Sequence, residues 1–382
     1  MMLMRLFVCF LATFMANGVA RFGYVVLIPL LILAGKLREH QSIQLAIAVM
    51  VGYVFGSAAL SFLQKRMSLE GIAKVSFLVI ALSFFACYLD RLPFAWAWMW
   101  RFLAGVAASC LMVLSAPLCL SLVKEQHRSY ASGFIFSGIG VGVVCSGFVL
   151  PHFASNIGMA WIFLGAVGLV AFLLSCVFLK TLHPPKKSTH KEAPFKISTF
   201  FALLLVSVVL NAIGYLPHTL FWVDYLVRSL HFSKAVAGAS WAFFGFGAAS
   251  GTILSATLAK TLGLKNASSI VILMKSISCV IAMVSNDIMW LNLSIFLMGF
   301  GTTGNLTITS TMAYHIMGQE HFVQASSLVT LAFGIFQAVF SFVFTWALGH
   351  FSFYKMFLFS GVVLFLAFAV LLPVPQSTFK NN

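Results

Sequence analysis

The chain has 382 residues, of which 61% are hydrophobic and only 8% charged, with a net charge of +15 and a mean hydropathy of +1.03. Soluble domains carry about 25% charged residues, so this composition excludes a wholly water-facing fold, and lipid must supply part of the solvent. The positive charge, which in a soluble chain would point to nucleic acid, is read as basic residues in cytoplasmic loops, and no nucleic-acid partner is expected.

Arg5 opens the first apolar run, and Gly18-Val19-Ala20 within it resembles a signal-peptide cleavage site. The run resumes after Arg21 and reaches Ala34, so it is read as a membrane-spanning helix rather than a removed signal. A helix needs about 20 residues to cross the hydrocarbon layer. Apolar runs of that order fall at about 5–33, 43–63, 72–89, 95–123, 130–151 and 158–180, then at 198–223, 234–259, 267–286, 289–314, 323–348 and 352–373. The expected fold is therefore all-α and integral to the membrane, with twelve spans. The break LHPPKKSTHKEAPFK lies halfway along and is read as a solvated linker. It divides a half at 1–181 from a half at 198–382, with the linker at 182–197.

With both termini cytoplasmic, fourteen Lys and Arg residues fall inside and six outside, which favours that orientation. Trp96, Trp98, Trp161, Trp222, Trp290 and Trp346 fall near expected outer ends, where an aromatic belt would place them. The seven cysteines all lie in apolar runs without CxxC spacing and are read as core thiols. No metal site or cofactor is expected.

Arg21 is the costly residue, because an arginine at mid-bilayer is unfavourable by about 2.5–3.5 kcal/mol even on insertion-derived scales. Asn17, Arg21 and Tyr24 are spaced i, i+4, i+7, one stripe of an α-helix. A shift of 194 residues carries this stripe onto Asn211, Tyr215 and His218 in the seventh span. The same shift pairs Gly105 with Gly299 and His127 with His321, and a shift of 195 superposes GSAALSFLQK (56–65) on GTILSATLAK (251–260). Two homologous halves in parallel orientation follow, with a substrate site near the midplane. Two readings stand for the asparagines, interhelical hydrogen bonds or ligand contact. Two also stand for His218, a hydrated interfacial residue or a ligand contact. Lys275 is read as snorkelling to the cytoplasmic interface.

The stretch 100–151 carries Arg101, Gly105, Pro117, Arg128, the glycine run Gly138, Gly140, Gly142, Gly147, and Pro151. This pattern resembles the helix-four and helix-five motifs of the major facilitator superfamily. RFGYVVLIPLL near the start is similar to the YbfB/YjiJ-type branch of that superfamily. The loop after the second span departs from the family signature: Gly56, Lys65 and Arg66 are present, but Leu60 stands where the family has an acid. The gating role that the family gives to that acid therefore has no residue to carry it at position 60.

The resemblance implies alternating-access transport. Gly138 with Gly142, and Gly247 with Gly251, follow small-xxx-small spacing, read either as a sliding contact between helices five and eight or as static close packing. Pro29, Pro117 and Pro217 are expected to kink their spans.

All eight acids map to loops or span ends, so Arg21 and Arg101 have no evident carboxylate partner. They are read as binding an anionic or polar group of a small organic solute. The expected protein is a monomeric secondary transporter of a bacterial-type inner membrane, ion- or proton-coupled, with His218 and Asp224 as the titrating groups near the seventh helix. A transporter-like sensor or partner subunit is the alternative. An integral-membrane enzyme is a more distant one, since no HExxH, paired carboxylates or nucleophile elbow lies within the spans.

Overall fold

A computed structural model describes residues 2–64, 66–89, 92–120, 123, 128–180 and 197–379. Among the described residues the regular structure is entirely helical. That is what lipid demands, since backbone N–H and C=O groups in hydrocarbon must be satisfied within the segment. Ten helical segments among the described residues are long and apolar enough to cross a membrane, and Phe353–Ala369 is a shorter apolar helix. Large apolar side chains are exposed along them, Val177 at 61% and Val284 at 69% among others. A water-facing surface would not carry this, and the chain is an integral membrane protein.

By packing the chain divides into two compact units, Met1–Pro184 with Thr219–Ala249, and Pro185–His218 with Ser250–Asn382. Residues 219–249, assigned to the second half by sequence, pack with the first unit. The linker expected at 182–197 lies, apart from Ile197, outside the described residues.

The first unit begins with α1 (Met2–Thr13), a π-helical segment Phe14–Gly23 and α2 (Tyr24–Leu33). It continues through α3 (Glu39–Leu63), α4 (Leu69–Tyr88), α5 (Phe94–Leu114), the short α6 (Pro117–Leu120), α7 (Arg128–Val149) and α8 (Ile157–Phe178). Ser68 caps α4 by accepting from the Gly71 N–H at 3.1 Å. The fourth span was expected to run to residue 123, but α5 stops at Leu114. Pro117 has no N–H to donate and its ring blocks the carbonyl four residues back, so it opens α6 instead of continuing α5. Arg5 is a clamp rather than a loop charge: its guanidinium bonds Glu70 at 2.6 Å, the Leu118 carbonyl at 2.8 Å and the Lys180 carbonyl at 3.0 Å.

Gly56 and Gly105 close the α3–α5 interface. A Cβ on Gly56 would meet the Val106 backbone, and one on Gly105 would meet Val49. Leu60 is buried. The side chains of Lys65 and Arg128 lie outside the described residues.

The glycines of α7 do not divide as their spacing suggested. Gly138 lies against Phe10 and Thr13, and Gly142 against Gly18, so this pair faces the first span. The α7 face that meets α11 (Lys234–Leu262) carries Gly140, against Gly245 and Ala249, and Gly147, against Gly238. Positions two apart on a helix are about 200° apart, and only one of the two small-residue faces was read. Gly247 is buried on α11, and Gly251 lies in the second unit against Phe300.

The second unit holds α9 (Thr199–Gly214), the start of α10 (Leu216–Asp224), the end of α11, α12 (Leu264–Val284), α13 (Ile288–Leu348) and α14 (Phe353–Ala369). Phe201, Leu204, Val271, Ile272, Phe300 and Met312 form its core. The 61-residue α13 contains a non-helical point at Gly318, with φ 74° and ψ 171°, where two helices meet. Gly263, at φ +83°, makes the turn between α11 and α12. Both need a residue without a Cβ.

Five of the seven cysteines are buried as expected, but Cys145 and Cys176 are exposed, as an apolar residue facing lipid can be. Trp290 and Trp346 are exposed, as a belt requires. Trp161 and Trp222 are core residues: Trp161 stacks on Tyr24, and the Trp222 indole donates to Ser240 at 3.1 Å. These two carry no information about orientation.

Candidate functional site

The first span changes its winding at the residues singled out by sequence. In the π-helical segment Phe14–Gly23 the backbone bonds run i→i+5 rather than i→i+4. Two side chains from other helices donate to carbonyls of this segment. Arg101 on α5 donates from Nη2 to the Ala20 carbonyl at 2.7 Å, and the Trp241 indole on α11 donates to the Phe22 carbonyl at 3.1 Å. Trp241 also stacks on Phe244, with centroids 4.8 Å apart. Gly18 and Gly23 give the segment room against Gly142 and Ser146 of α7.

Arg101 is completely buried, with its guanidinium 4.4 Å from the Tyr24 ring centroid and 6.0 Å from that of Phe84. Among the described residues its Nε and Nη1 have no hydrogen-bond partner, and no carboxylate lies within ion-pair distance. Arg21 is half-buried, its guanidinium 4.6 Å from the Phe22 ring. Asn17 is buried, and its Oδ1 has no partner among the described residues. Arg101 thus reaches the backbone of the residue next to Arg21, bringing the two arginines to the same stretch of the first span.

Tyr24 is placed differently. Its hydroxyl donates to the Ser42 carbonyl at 2.9 Å on α3, and its ring is enclosed by Arg101 and Trp161. The α-helical stripe of Asn17, Arg21 and Tyr24 is therefore divided. Each residue of a π-helix turns through fewer degrees, so the i, i+4, i+7 alignment does not hold across residue 23.

In the second unit, Asn211, Tyr215 and His218 all face its interior, where α12 meets them. The helix breaks at Tyr215, just before Pro217. Lys275 is completely buried and donates from Nζ to the Asn211 Oδ1 at 2.5 Å; the same nitrogen lies 4.9 Å from the Tyr215 ring centroid. Lys275 does not snorkel. Its stem lies across Gly301 of α13, where a Cβ would collide with the lysine Cγ and Cδ. Sequence placed this lysine at an interface because long basic side chains usually reach one. The signal that could have found it was Gly301 on a neighbouring helix.

His218 is completely buried rather than interfacial. Its Nε2 is 3.1 Å from the Ser294 hydroxyl and 3.2 Å from that of Ser278, and its ring packs on Phe357. The two serines bond each other's backbone carbonyls at 2.8 and 2.7 Å, closing a polar cluster around the imidazole.

Asp224 and Arg228, with Glu39, form an ion-pair cluster in the first unit. Arg228 makes two bonds to Asp224, at 2.6 and 2.7 Å, and two to Glu39, at 2.6 and 3.0 Å. Arg228 lies on a second π-helical turn, Tyr225–Ser229. Sequence proposed Asp224 as a titrating group but did not find its partners, which stand four residues away and across the first unit.

A cavity of about 770 Å³ in the second unit is lined by Lys260, Thr307, Thr311, His315 and Gln376 among others. None of the residues singled out by sequence lines it. No group of His, Cys, Asp and Glu that could hold a metal ion occurs among the described residues.

The helical membrane architecture, with buried cations set against the first span of the sequence and against the seventh, agrees with the comparison to known families. The model of the family described as uncharacterised MFS-type transporter YbfB matches residues 13–372, nearly the whole chain. The chain belongs to this family of major facilitator superfamily transporters.

Proposed function

We propose that the protein is a secondary active transporter moving a small polar or anionic organic solute across a bacterial-type inner membrane by alternating access, with proton or ion coupling. In this reading the chain is a monomer of twelve spans, with both termini cytoplasmic and two six-helix halves at 1–181 and 198–382. Arg21, Arg101 and Asn17 recognise the solute from the first half, and Asn211, Tyr215 and His218 face the pathway or support it from the second. Catalysis plays no part.

One observation carries the reading. Arg101 keeps its charge buried with two nitrogens unpartnered and no counter-ion among the described residues. A guanidinium cannot deprotonate in a protein, and an unpaired buried charge is strongly unfavourable. A carboxylate or phosphate oxygen would satisfy it with charge-assisted hydrogen bonds.

The test begins with a thermal-shift screen of purified protein against small carboxylates and phosphate esters. The solutes that stabilise it are then followed as flux into proteoliposomes. Arg101→Gln and Arg21→Gln are expected to reduce both responses by about ten-fold or more, the scale of one charge-assisted contact. Undiminished flux in both variants would overturn the assignment. Binding without flux in the wild type would identify a sensor, and a covalently altered product would identify an enzyme.

A further inference from the structure

We propose that Lys275 is the proton-binding residue of this transporter, the group whose charge changes during the cycle. The inference rests on the transporter reading for its role, and on the geometry of the second unit for its location. The groups that sequence offered for proton binding are already engaged: Asp224 is held by two bonds from Arg228, and His218 by two serine hydroxyls. Lys275 is a completely buried amine with one hydrogen bond, to the neutral amide of Asn211, and the face of Tyr215 beside it. No carboxylate pairs with it among the described residues.

An asparagine amide suits an amine that gains and loses a proton. Its Oδ1 accepts from the ammonium, and after rotation its Nδ2 donates to the lone pair of the neutral amine. A carboxylate in the same place would hold the proton permanently. The stem lies across Gly301, which has no side chain to displace it from Asn211. Among the described residues the surrounding titratable groups are few. Tyr215 and His218 approach from the seventh span, and Cys279 lies one turn along α12. On α13, Asp287 and His315 are each fourteen residues from Gly301, about 21 Å along the helix at 1.5 Å per residue. On α14, Gly361 accepts from Ser276, while Lys355 sits over the Phe351 ring at the start of that helix. The segment Gln376–Phe379 meets α12 at Lys265, ten residues before Lys275. Arg101 offers no such switch, since its charge is permanent.

The experiment needs no solute. Melting temperatures of the purified protein are measured from about pH 5.5 to about pH 9 for the wild type, Lys275→Met and Asn211→Asp. The wild type is expected to show a pH-dependent step of about 2–4 °C, the scale of one changed charge in a chain of this size. Lys275→Met should lack the step. Asn211→Asp should lack it too, because the added carboxylate pins the proton while the lysine remains. A step that persists in both variants, or a uniform loss of stability at every pH with the step intact, would overturn the assignment. If Lys275→Met does not fold, Asn211→Asp decides alone. Wild-type proteoliposomes that move no solute would defeat the transporter reading and leave this titration standing.

Discussion

The Arg101 guanidinium lies 4.4 Å from the centre of the Tyr24 ring while donating to the Ala20 carbonyl within the π-helical segment. In the second unit the Lys275 ammonium stands 4.9 Å from the Tyr215 ring. Each is a buried cation set over a tyrosine of the span that opens its half of the sequence, and each lacks an acidic partner among the described residues. A cation over an aromatic face gains about 0.5–2 kcal/mol, less than the several kcal/mol by which burial of an unpaired ion is disfavoured. On the transporter reading proposed above, that excess is what a negative group of the solute would offset.

Arg101→Met tests this balance. If the arginine served to brace the first span, its loss would free the Ala20 carbonyl and destabilise the protein. A lost charge-assisted hydrogen bond contributes about 1.5–3 kcal/mol, and relief of a buried unpaired charge offsets it by several. The ligand-free variant is therefore expected to melt at the wild-type temperature or above it, while the solute-induced shift disappears. A melting temperature lowered by more than about 4 °C would make the residue structural.

The ion-pair cluster predicts an asymmetry. The Asp224 side chain is 1% exposed and the Glu39 side chain 45%, yet both bond Arg228. Arg228→Met strands a buried carboxylate and should destabilise by about 3–5 kcal/mol. Glu39→Gln loses an exposed pair and should change stability by at most about 1 kcal/mol. Adding Asp224→Asn to Arg228→Met removes the stranded charge and should recover most of the loss. Denaturant titrations in detergent compare the four proteins, and equal effects of Arg228→Met and Glu39→Gln would contradict the account.

The helical, membrane-embedded character of the chain was legible because lipid forces it into the pattern: runs of about 20 apolar residues have few other uses. The details that decide the site were not. Asn17, Arg21 and Tyr24 align only on an α-helix, and nothing local marks residues 14–23 as π-helical. The side chains that donate to that segment, Arg101 and Trp241, lie 81 and 219 residues from their acceptors. Lys275 was placed at the interface by a rule about long side chains, while Gly301 and Asn211, on two other helices, hold it inside. Each miss is a long-range contact overriding a local preference.

Gly140 and Gly35 separate two uses of glycine. A Cβ at Gly140 would lie 2.5 Å from the Ala249 nitrogen and closer still to the Gly245 carbonyl, so Gly140→Ala must push α7 away from α11. Such overpacking costs about 1–3 kcal/mol. Gly35 has φ +67° with no atom near its missing Cβ. Gly35→Ala should thus cost only the left-handed strain of about 1–2 kcal/mol. If the α7–α11 contact moves during transport, Gly140→Ala should also lower flux per folded molecule, and Gly35→Ala should not. Flux normalised to folded protein separates the two effects.

Tyr24 offers its ring to Arg101 and its hydroxyl to Ser42, and substitution can part these roles. Tyr24→Phe keeps an aromatic face beneath the guanidinium and loses the bond to the Ser42 carbonyl, a loss of about 1 kcal/mol. Tyr24→Leu removes both and leaves a cavity beside Trp161, at about 3 kcal/mol or more. If the ring holds Arg101 in position for the solute, Tyr24→Phe will be less stable than the wild type with its solute-induced shift intact. Tyr24→Leu will lose that shift even when compared at matched stability, by lowering the assay temperature. Equal solute responses in the two variants would mean that Arg101 needs no platform, and that its bond to Ala20 alone sets its position.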